Sequence, residues 1–398
     1  MSPIALLAAS AILAHTSGPV TLRVATFNIE DVRTTDLQDP EHPRLKQIAE
    51  VIQRVRPNII LLNELAYDQP GAPGFVEGEP AGQNALRFIN TFLITPQSGI
   101  EPIRFKPFTA PTNTGLSSGF DLDNDGTTAT TYTYPAPSGP DGKPTDLPPD
   151  ARAYGNDCWG FGGFPGQYGM ALLVDERLEI LTDQIRTFQR LPWDYVSGAF
   201  IPAKPDGTNW FTPEELAVAR LSSKSHWDVP VKLPNGEILH VLCSHPTPPA
   251  FDGPEGRNKK RNHDEIRFWR DYIENAPYIV DDNNTPGGLR RGDLFVILGD
   301  LNADPIDGDS FKNPIKTQLL SSSRINTEFT PQADVDLSAQ GLDPTDTAMF
   351  KLRVDYVLPA AGIEVLRSGI WRTPPANSLV FPSDHFPVWA DLVVPTLE

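Results

Sequence analysis

The sequence predicts a layered α/β fold in which two packed sheets carry helices on their outer faces. Three observations point to it. Residues 20–29 read as an apolar strand, Leu45, Ile48, Ile52 and Val55 recur at helical spacing between Pro43 and Pro57, and residues 59–62 read as a second buried strand. Residues 229–233 and 237–243 flank Pro234, Asn235 and Gly236, and Asn-Gly between two apolar runs marks a hairpin. Residues 294–298 are an unbroken apolar run that meets Gly299, Asp300, Leu301 and Asn302, as a buried strand does when it emerges at a sheet edge.

The other elements follow in order. Residues 31–43 read as a polar loop and 86–92 as a second helix. Periodicity is lost over 102–165, where Gly, Pro, Asp and Thr dominate, and again over 190–228; irregular segments this long usually carry a function. Residues 167–174 form a strand candidate whose hairpin partner begins at Ile180. Trp193, Phe200, Trp210 and Phe211 read as packing their loop onto the domain rather than as a substrate wall. A helix is expected from Asn262, which can cap it with Glu265 three residues on, and Ile266, Trp269 and Ile273 would face the core. A polar loop over 306–347, strands at 354–358 and 363–366, and a closing strand after His385 complete the chain.

No linker or repeat divides the 398 residues, so 19–398 read as one domain with its long loops near 102–165 and 190–228. The 41 prolines and 30 glycines, beside 39% hydrophobic residues, describe long loops on an ordered scaffold rather than disorder. A net charge of -18 argues against a processive or scavenging nuclease, because nonspecific duplex binding draws most of its free energy from Lys and Arg neutralising phosphates. Residues 4–14 are an apolar run of signal-peptide length, so residues 1–18 are expected to be a signal peptide and the chain exported. No Lys or Arg precedes that run, which leaves an N-terminal strand or a misassigned start as alternatives. No later segment reads as a transmembrane helix, and a monomer is the default expectation. Cys158 and Cys243 allow one disulfide after export, which would staple the aromatic, glycine-rich loop beside His245; two free thiols are the alternative.

Chemistry-bearing groups gather at the predicted strand ends. Asp300 and Asn302 would share one side of an extended strand, an acceptor for a proton or cation beside an amide that can hold an oxygen, with an Asx turn as the alternative. Asp355 lies alone in an apolar strand, where an unpaired carboxylate is costly to bury, so it needs a partner. Asp121, Asp123 and Asp125 ahead of Gly126 have the alternate spacing of a calcium loop but no downstream glutamate, which leaves a structural Ca²⁺ or a solvated acidic turn. Arg257, Lys259, Lys260 and Arg261 form the one dense basic cluster, read either as substrate phosphate contacts or as a solvated loop.

GDLNADP at 299–305, SDHFPV at 383–388, FNIE at 27–30 and NEL at 63–65 resemble the signature blocks of the endonuclease/exonuclease/phosphatase superfamily, in the family's order and across nearly the whole chain. These are metal-dependent phosphoesterases that include deoxyribonuclease I, abasic-site endonucleases, inositol polyphosphate 5-phosphatases and neutral sphingomyelinases. The resemblance implies a four-layer α/β sandwich of two mainly antiparallel sheets, in an exported bacterial-type member. It implies hydrolysis of small phosphomono- or phosphodiesters by in-line attack of an activated water. Glu64 with Asn28 would be the metal pair, Asp384 would complete the shell, and all-oxygen ligands select Mg²⁺ or Mn²⁺. Asp300 would orient or deprotonate the water and Asn302 would hold a phosphoryl oxygen. His385 would contact the phosphate with its tautomer set by Asp355, and His245 would be a second imidazole. Two positions depart from the family's pattern: Cys243 and Ser244 precede His245 where many members have Asn-Thr, and Asn63 stands where Gln commonly precedes the metal glutamate. A secreted nuclease is the alternative within the enzyme class, and a catalytically silent, calcium-stabilised binding protein the alternative outside it.

Overall fold

A computed structural model describes residues 18–376 and 378–397. The signal peptide expected over 1–18 lies, apart from Gly18, outside the described residues. The strands are β1 (Val20–Val32), β2 (Ile59–Leu65), β3 (Phe105–Phe108), β4 (Met170–Asp175), β5 (Glu179–Ile180), β6 (Arg186–Thr187), β7 (His226–Lys232), β8 (Ile238–Ser244), β9 (Leu294–Asp300), β10 (Asp355–Pro359), β11 (Glu364–Ile370) and β12 (Val388–Val394). They form two six-stranded sheets, β11-β12-β1-β2-β4-β3 and β10-β9-β8-β7-β5 with β6 also on β7. The helices are α1 (Thr34–Leu37), α2 (Pro43–Val55), α3 (Asn84–Phe88), α4 (Pro149–Asn156), α5 (Pro213–Val218) and α6 (Arg257–Ile273). Two mainly antiparallel sheets with helices outside are the four-layer sandwich that was expected.

Each sheet contains one parallel pair, β1 with β2 and β8 with β9. Parallel neighbours must be covered on both faces, which is why residues 59–62 and 295–298 are apolar without alternation and have no exposed surface. β1 and β2 pack on β9 across the sandwich. α2 covers its sheet with Leu45, Ile48, Val51, Ile52 and Val55; Pro43 opens it, the His42 ring accepts from Leu45 N–H, and left-handed Arg56 ends it. α6 buries Ile266, Trp269, Tyr272 and Ile273. Gly299 is required where β9 passes β8, since a Cβ there would lie 2.0 Å from the Ser244 carbonyl oxygen.

Several local expectations are corrected. α6 begins at Arg257 rather than Asn262: Asp252 caps it by accepting from Asn258 and Lys259 N–H, so the basic cluster is its first turn and Asn262 lies inside, donating to the Thr247 and Leu301 carbonyls. Ile180 does not return beside β4; β5 pairs with β7 and so joins the other sheet. The strand expected from residue 167 starts at Met170, because Gln167 is a loop residue whose amide donates to Asp31. The 86–92 helix is α3 followed by a π-turn over Ile89–Leu93. The 102–165 segment contains β3, which pairs with β4, and α4. Trp193 and Trp210 pack as expected, their indole N–H groups donating to Asp264 and to the Leu122 carbonyl.

The disulfide is not formed. Cys158 and Cys243 are both free and buried, Cys243 within the main core and Cys158 outside it, and each thiol donates to a carbonyl of its own segment, Tyr154 and Val241. Among the described residues no helix is long and apolar enough to cross a membrane.

Burial holds the ring of His226 down at about 3, while its nitrogens bond the Ser222 hydroxyl and the Glu265 carbonyl. Its folded pKa lies below its unfolded value of 6.5, so the unfolded chain takes up the extra proton and stability is lost as pH falls below 6.5. We expect His226 to contribute a slope approaching about 1.4 kcal/mol per pH unit. Urea unfolding between about pH 7 and 5 should show a smaller loss of stability in His226→Gln than in the wild type.

Candidate active site

The parallel pairs bring four strand ends to one edge of the sandwich. On the first sheet Asn28 of β1 stands opposite Asn63 of β2, and Glu64 follows. The β1–β2 register shifts between Asn28 and Val32, and there Glu30 and Asp31 take left-handed backbone, with φ of 56° and 43°, as Glu64 does with φ 66°. On the second sheet Asp300 of β9 stands opposite Asp355 of β10, and β8 delivers Ser244 and His245.

The Asp300 carboxylate is the meeting point. Its Oδ2 accepts from Asn28 Nδ2 at 3.0 Å and lies 3.4 Å from His245 Nε2 and 3.7 Å from His385 Nε2. Its Oδ1 accepts from Asn302 N–H, and its own backbone N–H donates to Asn63 Oδ1 at 3.2 Å. Glu64 is adjacent: Oε1 accepts from Asn28 Nδ2 at 3.1 Å and stands 4.0 Å from His245 Nε2, while Oε2 accepts from Asp31 N–H. His385 Nδ1 and Asp355 Oδ2 pair at 2.8 Å, and the Phe350 ring packs edge-on against that imidazole.

The two imidazoles differ in charge for a visible reason. His385 is held well above its ordinary value, burial being outweighed by Asp355 and Asp300, so it is an imidazolium. Burial, then the charges of Lys224 and His385, push His245 well below its ordinary value, so it is neutral. Burial raises the Asp355 carboxyl to about 6 against the opposing pull of His385. Glu64 is pushed up to about 7, by burial first and by Asp384 second.

That repulsion is the test of whether a cation fits. Glu64 and Asp384 are hard oxygen donors whose like charges destabilise each other, and among the described residues no hydrogen bond or ion pair claims the Asp384 carboxylate. A divalent cation held by Glu64 and Asp384 would relieve the repulsion. Asn28, expected in the metal shell, turns its NH₂ group to Glu64 and Asp300 and its oxygen to Glu30 N–H, so here it positions the carboxylates. Asn302 has one amide N–H on the Pro246 carbonyl and a left-handed backbone, φ 54°. Asp300, Asp355 and His385 also form a cluster with ligand atoms within 4.8 Å of one another.

Residues 25–385 match the Endonuclease/Exonuclease/phosphatase family. The chain belongs to that family. It is accordingly a metal-dependent phosphoesterase, a hydrolase of phosphate esters. Similar solved structures include a family protein from Beutenbergia cavernae, with TM-score 0.49 and 18% identity over 94% of this chain and 72% of that one. Others are the catalytic domain of human Nocturnin with a bound sulfate anion, with TM-score 0.47 and 14% identity over 94% and 93%, and truncated Caenorhabditis elegans TDP2, with TM-score 0.43 and 13% identity over 94% and 98%. No curated protein matches the chain.

The four family blocks thus converge, together with His245 and Asp355. The basic cluster does not join them as substrate contacts. Arg257 donates to the Leu122 carbonyl, Arg261 to the carbonyls of Trp159, Arg220, Leu221 and Ser222, and Lys259 pairs with Asp309; Lys260 is half-buried on the same turn. In the acidic loop the carboxylates that meet are Asp121, Asp123 and Asp157, while Asp125 accepts from Thr127 N–H. Arg257 supplies positive charge against Asp123 and Asp157.

Lys143 and Lys224 escaped the sequence reading, and Asn63, noted there only for its place before the metal glutamate, has a larger part. Asn63 bridges the sheets, accepting from both Asp300 N–H and the Thr26 hydroxyl and donating to the Ser244 carbonyl. Lys143 of the first long insertion pairs with Glu30. Lys224 is buried beside the carboxylates. Only Asn63 left a signal, its place before the metal glutamate; the two lysines lie in irregular segments. We expect Asn63→Ala to lower stability by roughly 1–3 kcal/mol, the cost of stranding buried donors, as measured by urea unfolding at pH 7.

Proposed function

We propose that the protein hydrolyses small phosphate mono- or diesters by in-line attack of water, with Mg²⁺ or Mn²⁺ as its ion. The observation that carries this reading is the Asp300 carboxylate, facing one neutral and one charged imidazole beside Glu64. A bound divalent ion would neutralise phosphoryl oxygens and so favour attack by a nucleophile. Asp300 Oδ2 takes the proton of the attacking water, its position held by Asn28 and Asn63. His385, charged and braced by Asp355, donates to a non-bridging phosphoryl oxygen. Neutral His245 donates through Nε2, and Asn302 contributes its remaining amide N–H.

A small ester suits the charge distribution better than a polynucleotide. The net charge is -18, and Arg257, Arg261 and Lys259 are committed to the protein's own carbonyls and carboxylates. The N-terminal apolar run supports export as part of the same reading, and N-terminal sequencing of secreted protein beginning at residue 1 would reject it.

Chelation should abolish hydrolysis of aryl and bis-aryl phosphates, and added Mg²⁺ or Mn²⁺ should restore it; unchanged turnover in excess chelator would remove the ion from the mechanism. Asp300→Ala should lower kcat by about 10²–10⁴, the worth of a positioned general base, without loss of fold by circular dichroism. Plasmid DNA should remain intact under the conditions that cleave the aryl ester, and nicking with steep salt dependence would favour the nuclease. Measurable wild-type turnover excludes the silent binding protein.

A further inference from the structure

Lys224 is a buried cation that none of the roles above uses. It is 5% exposed, and among the described residues no carboxylate lies within 4.0 Å of its ammonium. Its place in the fold is defined by the β7–β8 register, which pairs His226 with Ser244; the chain two residues before His226 therefore runs beside His245 and Pro246. The same Pro246 carbonyl accepts from Asn302. Neighbouring Ser223 donates its hydroxyl to the His245 carbonyl.

The carboxylate whose charge acts most on Lys224 is Glu265. Glu265 on α6 accepts from Ser223 N–H and Thr247 N–H, both at 2.6 Å, and so clamps the two segments that flank Lys224 and His245. Burial lowers the pKa of Lys224 from its ordinary value against the opposing charges of Glu265, Glu64 and Asp300, and the Lys224 charge disfavours protonation of His245. The segment that carries Lys224 thus runs beside the neutral imidazole, and its side chain lies within the electrostatic reach of Glu64 and Asp300. Burying an ammonium without a paired anion is costly, and an anion that enters the site removes that cost. A phosphoryl group is such an anion, and lysine binds phosphate as a point charge with three donors.

We propose that Lys224 contacts substrate, its ammonium donating to a non-bridging oxygen of the scissile phosphate group on the His245 and Asn302 side. This rests on the phosphoesterase reading of the site. Lysine in this role neutralises charge on the transferring group, as positively charged clamps do in phosphoryl transfer.

The test uses Lys224→Met and Lys224→Gln in the full chain, with Mg²⁺ present. Turnover of an aryl phosphate is measured beside calorimetric titration with inorganic phosphate and the thermal midpoint. The expected result is a fall in kcat of about 10²–10³, phosphate affinity lower by about tenfold or more, and a midpoint equal to or above the wild type, because an unpaired buried charge has been removed. Wild-type phosphate affinity in both variants would overturn the proposal. So would failure of both to fold, or a lowered midpoint with unaltered turnover, since either makes Lys224 a structural counter-charge for Glu265. Phosphate binding that depends on Lys224 in a protein with no ester turnover would leave this assignment standing and sink the hydrolase reading. Ester turnover undiminished in both variants would do the reverse.

Discussion

The bond between Asp300 and the opposite sheet is the constraint on which the site depends. A carboxylate 1% exposed between two sheets is tolerable only when its oxygens are filled, and here Asn28, Asn302 and two imidazoles surround it while Asn63 holds its backbone N–H. The contacts from Asn28 and Asn63 cross from one sheet to the other. They therefore set the spacing of the two strand edges as well as the direction of the carboxylate. Gly299 one residue earlier allows β9 to lie close enough to β8 for His245 to reach it.

Around this junction the backbone is strained. Glu30, Asp31, Glu64 and Asn302 all sit in left-handed conformations that side-chain-bearing residues avoid, at a cost of order 1–3 kcal/mol each. Each also makes or follows a bond that explains its position: Asp31 N–H on Glu64, Glu30 N–H on Asn28, Asn302 N–H on Asp300. The sheets supply the rigidity that maintains these conformations. Polar backbone groups are thereby turned toward the carboxylates instead of along the strand ladder.

The long insertions wrap this edge rather than forming a separate unit. Lys143 reaches Glu30, Gln167 and Arg33 both donate to Asp31 Oδ2, and the acidic 121–126 turn meets Arg257 at the start of α6. Lys143, Arg33 and Arg257 are consumed in these contacts, while His385 and Lys224 remain as the positive charges beside the carboxylates. Cys158 and Cys243 take no part in joining insertion to core; hydrogen bonds and ion pairs do that work.

Much of this was legible in the residues themselves. Apolar runs that end in Asn, Asp, Glu and His specify both the buried strands and where their chemistry must emerge, because period and polarity are local properties of a strand. That Asp355 must find a partner was legible too, since a carboxylate in an apolar strand is costly to bury alone, whereas His385 as that partner was what the family resemblance implied. Tertiary structure alone decided which of two histidines carries charge, that the basic cluster opens a helix and turns to loop carbonyls, that β5 joins the other sheet, and that Lys224 lies among the carboxylates. These outcomes depend on burial and on neighbours distant in sequence, and no local pattern of residues encodes the field that a folded neighbourhood exerts on a single charge.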